Sequence, residues 1–349
     1  MRERTSVLVT GGAGYVGSAV VRTLSAAGYR PVVVDDLSTG HRLAVGKVPI
    51  LKAAYGNKRV EAFVRRHRVR AVVHTAASCL VGESVKNPAL YYENNLKQGL
   101  EFLEMLRRSR VRRLVFCSTA AVYGEPQAVP IPEDHPQRPV NPYGETKAAF
   151  EHALHWYCEA YGFSAVALRF FNAAGADEDG RHGEDHPIET HLIPRVMQHA
   201  LGRRSAIELY GTDYATPDGT AIRDYVHVRD LAVAHLSALE RCRRTKGFSA
   251  FNLGTGTGTS VREVLREVER VSGKTLKIVE RPRRAGDPAR LVASNEKARK
   301  LLGWSPGRPL GEIVASAWRW HEKHRRGYRS SPGLVSSGNA VLKLPARSR

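Results

Sequence analysis

The sequence predicts an α/β protein, a doubly wound parallel sheet joined to a smaller C-terminal α/β domain. Three observations carry this. Short β-branched runs alternate with helical patterns between residues 6 and 172. A glycine-rich turn follows the first of those runs. After Asn172 the chain turns polar, with glycines, prolines and only short elements.

The strand candidates are SVLV (6–9), PVVVDD (31–36), RAVVHTAA (70–77), RRLVFCST (112–119) and SAVALRFFN (164–172). Such runs suit strands buried on both faces of a parallel sheet. Helical patterns at 16–28 and 143–161 lie between them, and this alternation is the mark of a doubly wound fold. GADEDGRHGEDHPIETH then reads as loop. SAFNLGTG (249–256) reads as a strand and turn, with helices at 260–272 and near 309–325. The expected division is residues 1–172 plus 224–255 for the sheet domain and 173–223 plus 256–328 for the smaller one. Residues 329–349 lack periodicity and are expected to form a disordered tail.

Composition narrows the function classes. The chain has 349 residues, of which 42% are hydrophobic, so it can bury a sizeable core. Its formal charge is +20, but the basic residues are scattered and no aromatics interleave with them. A solvated, arginine-rich surface is expected, and no specific nucleic-acid partner. No run approaches the roughly 18 apolar residues of a membrane span. MRERTSVLVT carries no apolar leader pattern, so a cytoplasmic protein is expected. Cys79, Cys117, Cys158 and Cys242 stand far apart without zinc-site spacing, so reduced thiols and no metal are expected.

The turn lies in TSVLVTGGAGYVGSAVVRTL, where Gly12, Gly14 and Gly17 make GxGxxG and Gly11, Gly14 and Gly17 make GxxGxxG. After a strand and before a helix, this is the dinucleotide turn of a Rossmann fold. The glycines admit a tight turn and a close pyrophosphate, and the helix start offers free N–H groups. Asp35 and Asp36 end the second strand, where an acid accepts from ribose hydroxyls and repels a 2′-phosphate. LSTG follows, with no basic residue at once, so the expected cofactor is NAD.

NPYGETKAAFEHAL begins at Asn141, a helix cap, with Pro142 at the first helical position. Tyr143 and Lys147 then fall on one face, four residues apart. An ammonium near a phenol favours the phenolate, so the pair reads as a proton-transfer group. Thr119 ends the strand LVFCST at the sheet's carboxyl edge, and with its neighbour Ser118 could orient a substrate hydroxyl.

With these residues assembled, the chain resembles the extended short-chain dehydrogenase/reductases, and within them the UDP-glucose 4-epimerase family. The resemblance spans about residues 5–328 and rests on VTGGAGYVGS, VGESVKNP, YYENN, CSTAAVYG, NPYGETK, RFFNAAGA, GEDHPIETHLIP, YGTDYATPDGTAIRDYVHV, NLGTGTGTSV and PRRAGDPARLVA. It implies that Tyr143 is the acid/base, that Lys147 holds the cofactor ribose and lowers the Tyr143 pKa, and that Thr119 bonds the sugar O4. It implies NAD held by Gly11, Gly12, Gly14, Tyr15, Val16 and Gly17, by Asp35, Asp36, Leu37 and Ser38, and by Ala76, Asn94 and Phe171. A UDP-sugar would meet Ser118, Asn172, His191, Leu192, Tyr210, Arg223, Arg284, Asp287 and Leu291. The implied reaction removes proton and hydride at C4, swings the 4-keto sugar, and returns both to its other face. A homodimer through helices near 88–107 and 143–161 is also implied.

The chain departs from the family in three places. Ala53 and Ala54 stand where an aspartate often contacts adenine. Cys79 and Leu80 stand where some members carry a lysine on the phosphates. Leu291 takes the position of a gate over the sugar C2 substituent, where a bulky tyrosine excludes N-acetylated sugars. A 4-epimerase for UDP-N-acetylglucosamine, UDP-xylose or UDP-glucuronate is the nearest alternative, and a non-catalytic NAD-sensing protein a remote one. A sugar-nucleotide dehydratase would follow Thr119 with an acidic pair, whereas this chain has Ala120 and Ala121.

Overall fold

β-Branched valines fill the centres of the strands, and all five residues of the first strand are buried. The computed structural model describes residues 5–284 and 286–330. The expected tail lies outside the described residues from 331 onward. In chain order the strands begin with β1 (Ser6–Thr10), β2 (Arg30–Asp35), β3 (Ile50–Lys52), β4 (Ala71–His74), β5 (Arg113–Thr119) and β6 (Ser164–Phe170). β7 (Asn172–Ala174), β8 (Ile207–Tyr210), β9 (Ile222–Arg223) and β10 (Tyr225–His227) leave the main sheet. β11 (Gly247–Leu253) returns to its edge, and β12 (Thr259–Ser260), β13 (Ile278–Arg281) and β14 (Arg290–Leu291) follow.

The seven-stranded sheet runs β3-β2-β1-β4-β5-β6-β11, parallel throughout. Strand order reverses between β1 and β4, which is where an open α/β sheet leaves a crevice at its carboxyl edge. The short, half-exposed β3 had no signal strong enough to read from sequence. The helices are α1 (Tyr15–Ala26), α2 (Arg59–Arg66), α3 (Val81–Lys86), α4 (Pro88–Tyr91), α5 (Gln98–Arg108), α6 (Pro142–Tyr161), α7 (Leu192–Ala200), α8 (Val228–Arg244), α9 (Val261–Ser272), α10 (Glu296–Leu302) and α11 (Leu310–Lys323). A π-helical turn, Tyr92–Lys97, joins α4 to α5.

One face of the sheet buries Val7, Val9, Val33 and Val73 against α1 and α8. The other buries Leu8, Val32, Val34 and Val72 against α2, α5 and α6. The smaller lobe has its own core, with Ile193, Met197, Val264, Leu265 and Val314 from α7, α9 and α11. The boundary between the lobes is not a clean cut in sequence. Ala298 and Trp304, expected in the smaller domain, pack into the α1–α8 core, and the Trp304 indole donates to the Asp230 carbonyl at 2.8 Å.

One buried ion pair seats α6 on the sheet. Arg169 of β6 meets Glu151 of α6 at 2.5 Å, with side chains 4% and 1% exposed. Arg169 Nη1 also donates to the Tyr123 hydroxyl at 2.8 Å and to the Glu133 carbonyl at 3.0 Å. Tyr123 in turn donates to Asn252 of β11 at 2.7 Å. Removing one partner of a buried pair strands the other charge. Glu151→Ala is therefore expected to cost about 3–5 kcal/mol, read as a lowered urea midpoint by circular dichroism. A change under about 1 kcal/mol would show that water or other groups satisfy Arg169 equally well.

Candidate active site

The glycine turn is built by close approach. A side chain at Gly17 would place Cβ 2.1 Å from the Gly11 carbonyl, and Gly11 itself holds φ +64° against Ala76. α1 begins after Gly14 with no side-chain cap, so its first amides face the crevice. There a cavity of about 440 Å³ opens, lined by Gly11, Gly14, Tyr15, Val16 and Gly17 at one side. Asp35, Asp36 and Ser38 line its far end, as do Ala53 and Ala54. Ala76, Asn94, Tyr143 and Lys147 line the rest, with Cys79 and Leu80.

Asp35 is buried. Its carboxylate accepts from the amides of Ala13 at 2.9 Å and Leu37 at 2.8 Å, and burial raises its pKa. Asp36 is exposed, and one of its oxygens accepts from Ser38 N and Oγ. Asn94 sits in the π-helical turn, a feature frequent at functional sites. Its amide donates to Ser78 Oγ at 3.0 Å. Asn95, not anticipated from sequence, is buried and accepts from Ser78 N at 2.8 Å, which fixes the segment leading to Cys79. An uncapped helix start, side-chain-free turn residues and an acid one strand away form a cradle that fits NAD.

Asn141 caps α6 by accepting from Gly144 N at 2.9 Å, with Pro142 at the first position. Gly144 lets α6 come close to the end of β5, since a Cβ there would lie 2.5 Å from the Ala121 carbonyl. The approach sets Tyr143, near the start of α6, beside Thr119 at the end of β5. Thr119 Oγ1 also accepts from Ala121 N at 3.1 Å. Tyr91 stands edge-on to Tyr143, with ring centroids 6.4 Å apart, and its hydroxyl donates to Glu83 at 2.8 Å.

Lys147 is buried at the floor. Its ammonium donates to the Cys117 carbonyl at 2.7 Å and lies 4.6 Å from the Phe116 ring and 5.9 Å from the Tyr143 ring. Desolvation lowers its pKa to about 8. The expected lowering of the Tyr143 pKa is corrected for the protein's own groups. Burial pushes the phenol upward more than its neighbours pull it down. Further positive charge at this spot is needed to bring the phenol toward neutrality.

Three other expectations shift. Ser118 does not face the cavity; its hydroxyl donates to Glu151 beside the buried ion pair. Phe171 packs with Leu291 against Val122, Tyr123 and Ile131, while Phe170 lines the cavity in its place. Leu192 is the first residue of α7 and packs on the smaller lobe's core. Of the residues expected to meet a sugar nucleotide, His191 joins the cavity wall. Asn172 begins β7, its amide donating to the Asp224 carbonyl at 3.0 Å.

A second group assembles on the smaller lobe. Arg223 and Leu291 are register partners on β9 and β14, and Arg223 is ion-paired to Asp287. The Arg284 guanidinium lies 4.0 Å over the Tyr210 ring, whose hydroxyl donates to Glu208 at 2.8 Å. Two arginines, a carboxylate and an aromatic face suit a nucleoside diphosphate. Sequence reading missed Glu184, His186 and Glu189, which stand in the cavity loop beside His191; their spacing, ExHxxExH, was legible but lay in a segment read only as loop.

Comparison with known proteins agrees with this geometry. The profile of the NAD dependent epimerase/dehydratase family matches residues 7–254. The UDP-glucose 4-epimerase of Halalkalibacterium halodurans is 48% identical over 325 residues, covering 93% of this chain and 97% of that one. That of Streptomyces lividans is 49% identical over 327 residues, covering 92% and 97%. The structure of the Brucella ovis UDP-glucose 4-epimerase in complex with NAD superposes with a TM-score of 0.88 at 46% identity, covering 90% of this chain and 97% of the other. The Bifidobacterium longum enzyme in complex with NAD+ and UDP gives 0.89 at 35% identity, covering 93% and 100%. The chain belongs to the NAD-dependent epimerase/dehydratase family.

Proposed function

We propose that the chain catalyses the NAD-dependent 4-epimerisation of a UDP-hexose, interconverting UDP-glucose and UDP-galactose through a 4-keto intermediate. The observation that carries it is the meeting of Tyr143 and Lys147 in one cavity with the glycine turn of α1, with Thr119 beside them at the end of β5. The likeness to UDP-glucose 4-epimerases over nearly the whole of both chains supports the substrate.

When bound, NAD supplies the hydride acceptor and, in its oxidised form, a positive ring. The protein's residues do the rest. Thr119 orients the sugar O4 toward Tyr143, and Tyr143 takes and returns the O4 proton. Lys147 holds the cofactor ribose and adds its charge, which a pKa of about 8 keeps mostly present near neutral pH. The cavity wall keeps bulk water from the phenol. Arg223, Arg284, Asp287 and Tyr210 hold the UDP end, and for that task the Arg223–Asp287 pair must open. Leu291, smaller than tyrosine, leaves acceptance of an N-acetylated sugar as the second reading.

The protein is proposed to act as a homodimer in the cytoplasm. Among the described residues no helix is long and apolar enough to cross a membrane. Val85, Tyr92, Leu100 and Trp156 are exposed along α3, the π-helical turn, α5 and α6, with Val85 at 63% and Trp156 at 66%. Large apolar side chains so exposed on adjacent helices suit a helix-to-helix contact between two copies.

The deciding experiment mixes purified protein with UDP-galactose, and separately with UDP-N-acetylgalactosamine, with no NAD added, and follows anomeric protons by NMR. UDP-glucose is expected in the first tube, and the second sets the breadth. No conversion in either, even with NAD supplied, would overturn the reading. Tyr143→Phe is expected to lower turnover by about 10²–10⁴-fold while NAD stays bound; near-normal turnover would remove Tyr143 from the proton path. Trp156→Glu is expected to convert the dimer to monomer in light scattering, and an undisturbed dimer would place the contact elsewhere.

A further inference from the structure

Between Glu184 and His191 the chain gathers two carboxylates and two imidazoles that the proposed reaction does not need. Glu184, His186, Glu189 and His191 each offer one ligand atom, and these atoms all lie within 4.8 Å of one another. Both histidines turn Nδ1 inward. His186 Nδ1 stands 3.5 Å from Glu184 Oε1 and 3.2 Å from Glu189 Oε2. His191 Nδ1 stands 3.4 Å from Glu189 Oε1 and 2.6 Å from Glu184 Oε1.

These separations approach those of a coordination sphere. A tetrahedral ion with bonds of about 2.0–2.1 Å spaces its ligands about 3.4 Å apart. His186 to Glu184 and each histidine to one Glu189 oxygen come near that spacing, at 3.5, 3.2 and 3.4 Å, while Glu184 and His191 would have to part. The two carboxylate side chains are 5% and 4% exposed. Two buried carboxylates in one cluster call for positive charge beside them, which protonated imidazoles or a bound cation can supply. Glu184 Oε1 makes no hydrogen bond although both imidazoles flank it, so its approach is not that of an ordinary paired acceptor.

The ligands stand on an anchored backbone. The Trp320 indole donates to the Glu184 carbonyl at 3.2 Å, and Tyr328 N donates to Asp185 Oδ2 at 3.0 Å. His191 N donates to Glu189 Oε1 at 2.8 Å, which orients that carboxylate. Such outer contacts hold metal ligands in place. Two nitrogens and two oxygens favour a transition ion over calcium or magnesium, which prefer oxygen alone.

We propose that Glu184, His186, Glu189 and His191 bind one divalent transition-metal ion, zinc foremost, which fixes the 184–191 loop as a wall of the cavity. This rests on the loop's geometry and not on the epimerase reading, so either can fail alone.

The test uses the full chain without an affinity tag, stripped with a chelator and dialysed. Co²⁺ is titrated in as an optical probe and then displaced with Zn²⁺, and bound metal is counted by mass spectrometry. One equivalent, the intense visible bands of four-coordinate Co²⁺ and their loss on adding Zn²⁺ are expected. His186→Ala and Glu189→Gln should each weaken binding by roughly 100-fold or more, since loss even of an outer contact costs 10–100-fold. Wild-type protein that takes up less than a stoichiometric amount overturns the proposal without any variant. So does an unchanged affinity in both folded variants, which would leave the cluster as an ion-pair network only.

Discussion

The seating of α6 on β5 and β6 is the constraint on which the candidate site depends. Tyr143 and Lys147 lie on α6 and Thr119 on β5, so their meeting is set by how those elements pack. Arg169 and Glu151 fix that packing from within, and the Ser118 hydroxyl ties β5 to the same carboxylate. The network extends through Tyr123 to Asn252, so the edge strand β11 is held in the same frame. A buried ion pair is a weak source of net stability, because desolvation offsets most of its attraction. Its value here is positional: an arginine with this many directed donors accepts few alternative helix placements.

The same burial that positions these groups sets their charge. Lys147 is held in a dry pocket and its pKa falls, while the Tyr143 phenol is pushed the other way. Both shifts favour neutral forms. In the proposed mechanism the positive ring of oxidised NAD would add a second charge that favours the phenolate. That coupling suits a reaction in which proton and hydride leave the same carbon together.

Local features were legible in the sequence and cross-chain ones were not. The strands, the glycine turn and the capped Tyr143–Lys147 helix each declare themselves within about twenty residues, through β-branched runs, spacing and helical periodicity. Phe170 and Phe171 show the limit. Phe170 ends β6 and Phe171 sits at the bend after it, so one position separates a residue on the cavity from one in the core. Ser118 and Thr119 divide by strand alternation, one toward Glu151 and one toward Tyr143. The Arg284–Tyr210 contact and the Trp304 anchor depend on partners about 70 residues away, which no local pattern specifies. The 184–191 cluster failed to register for another reason: polar loops carry no periodicity, so its spacing had nothing to stand against.

The segment from Gly175 to Asp185, which leads into that loop, is joined to α1 and to His41 by polar contacts. The Tyr15 hydroxyl, on the first residue of α1, donates to the Gly175 carbonyl at 2.6 Å. Arg22, two turns along α1, meets Asp177 at 2.6 Å. His41, beyond the acidic end of β2, lies 3.2 Å from an Asp185 carboxylate oxygen. Thus α1 and the segment from Gly175 to Asp177 that leads toward the 184–191 loop share their supports. Ordering of either one restricts the other, because each contact fixes both partners at once.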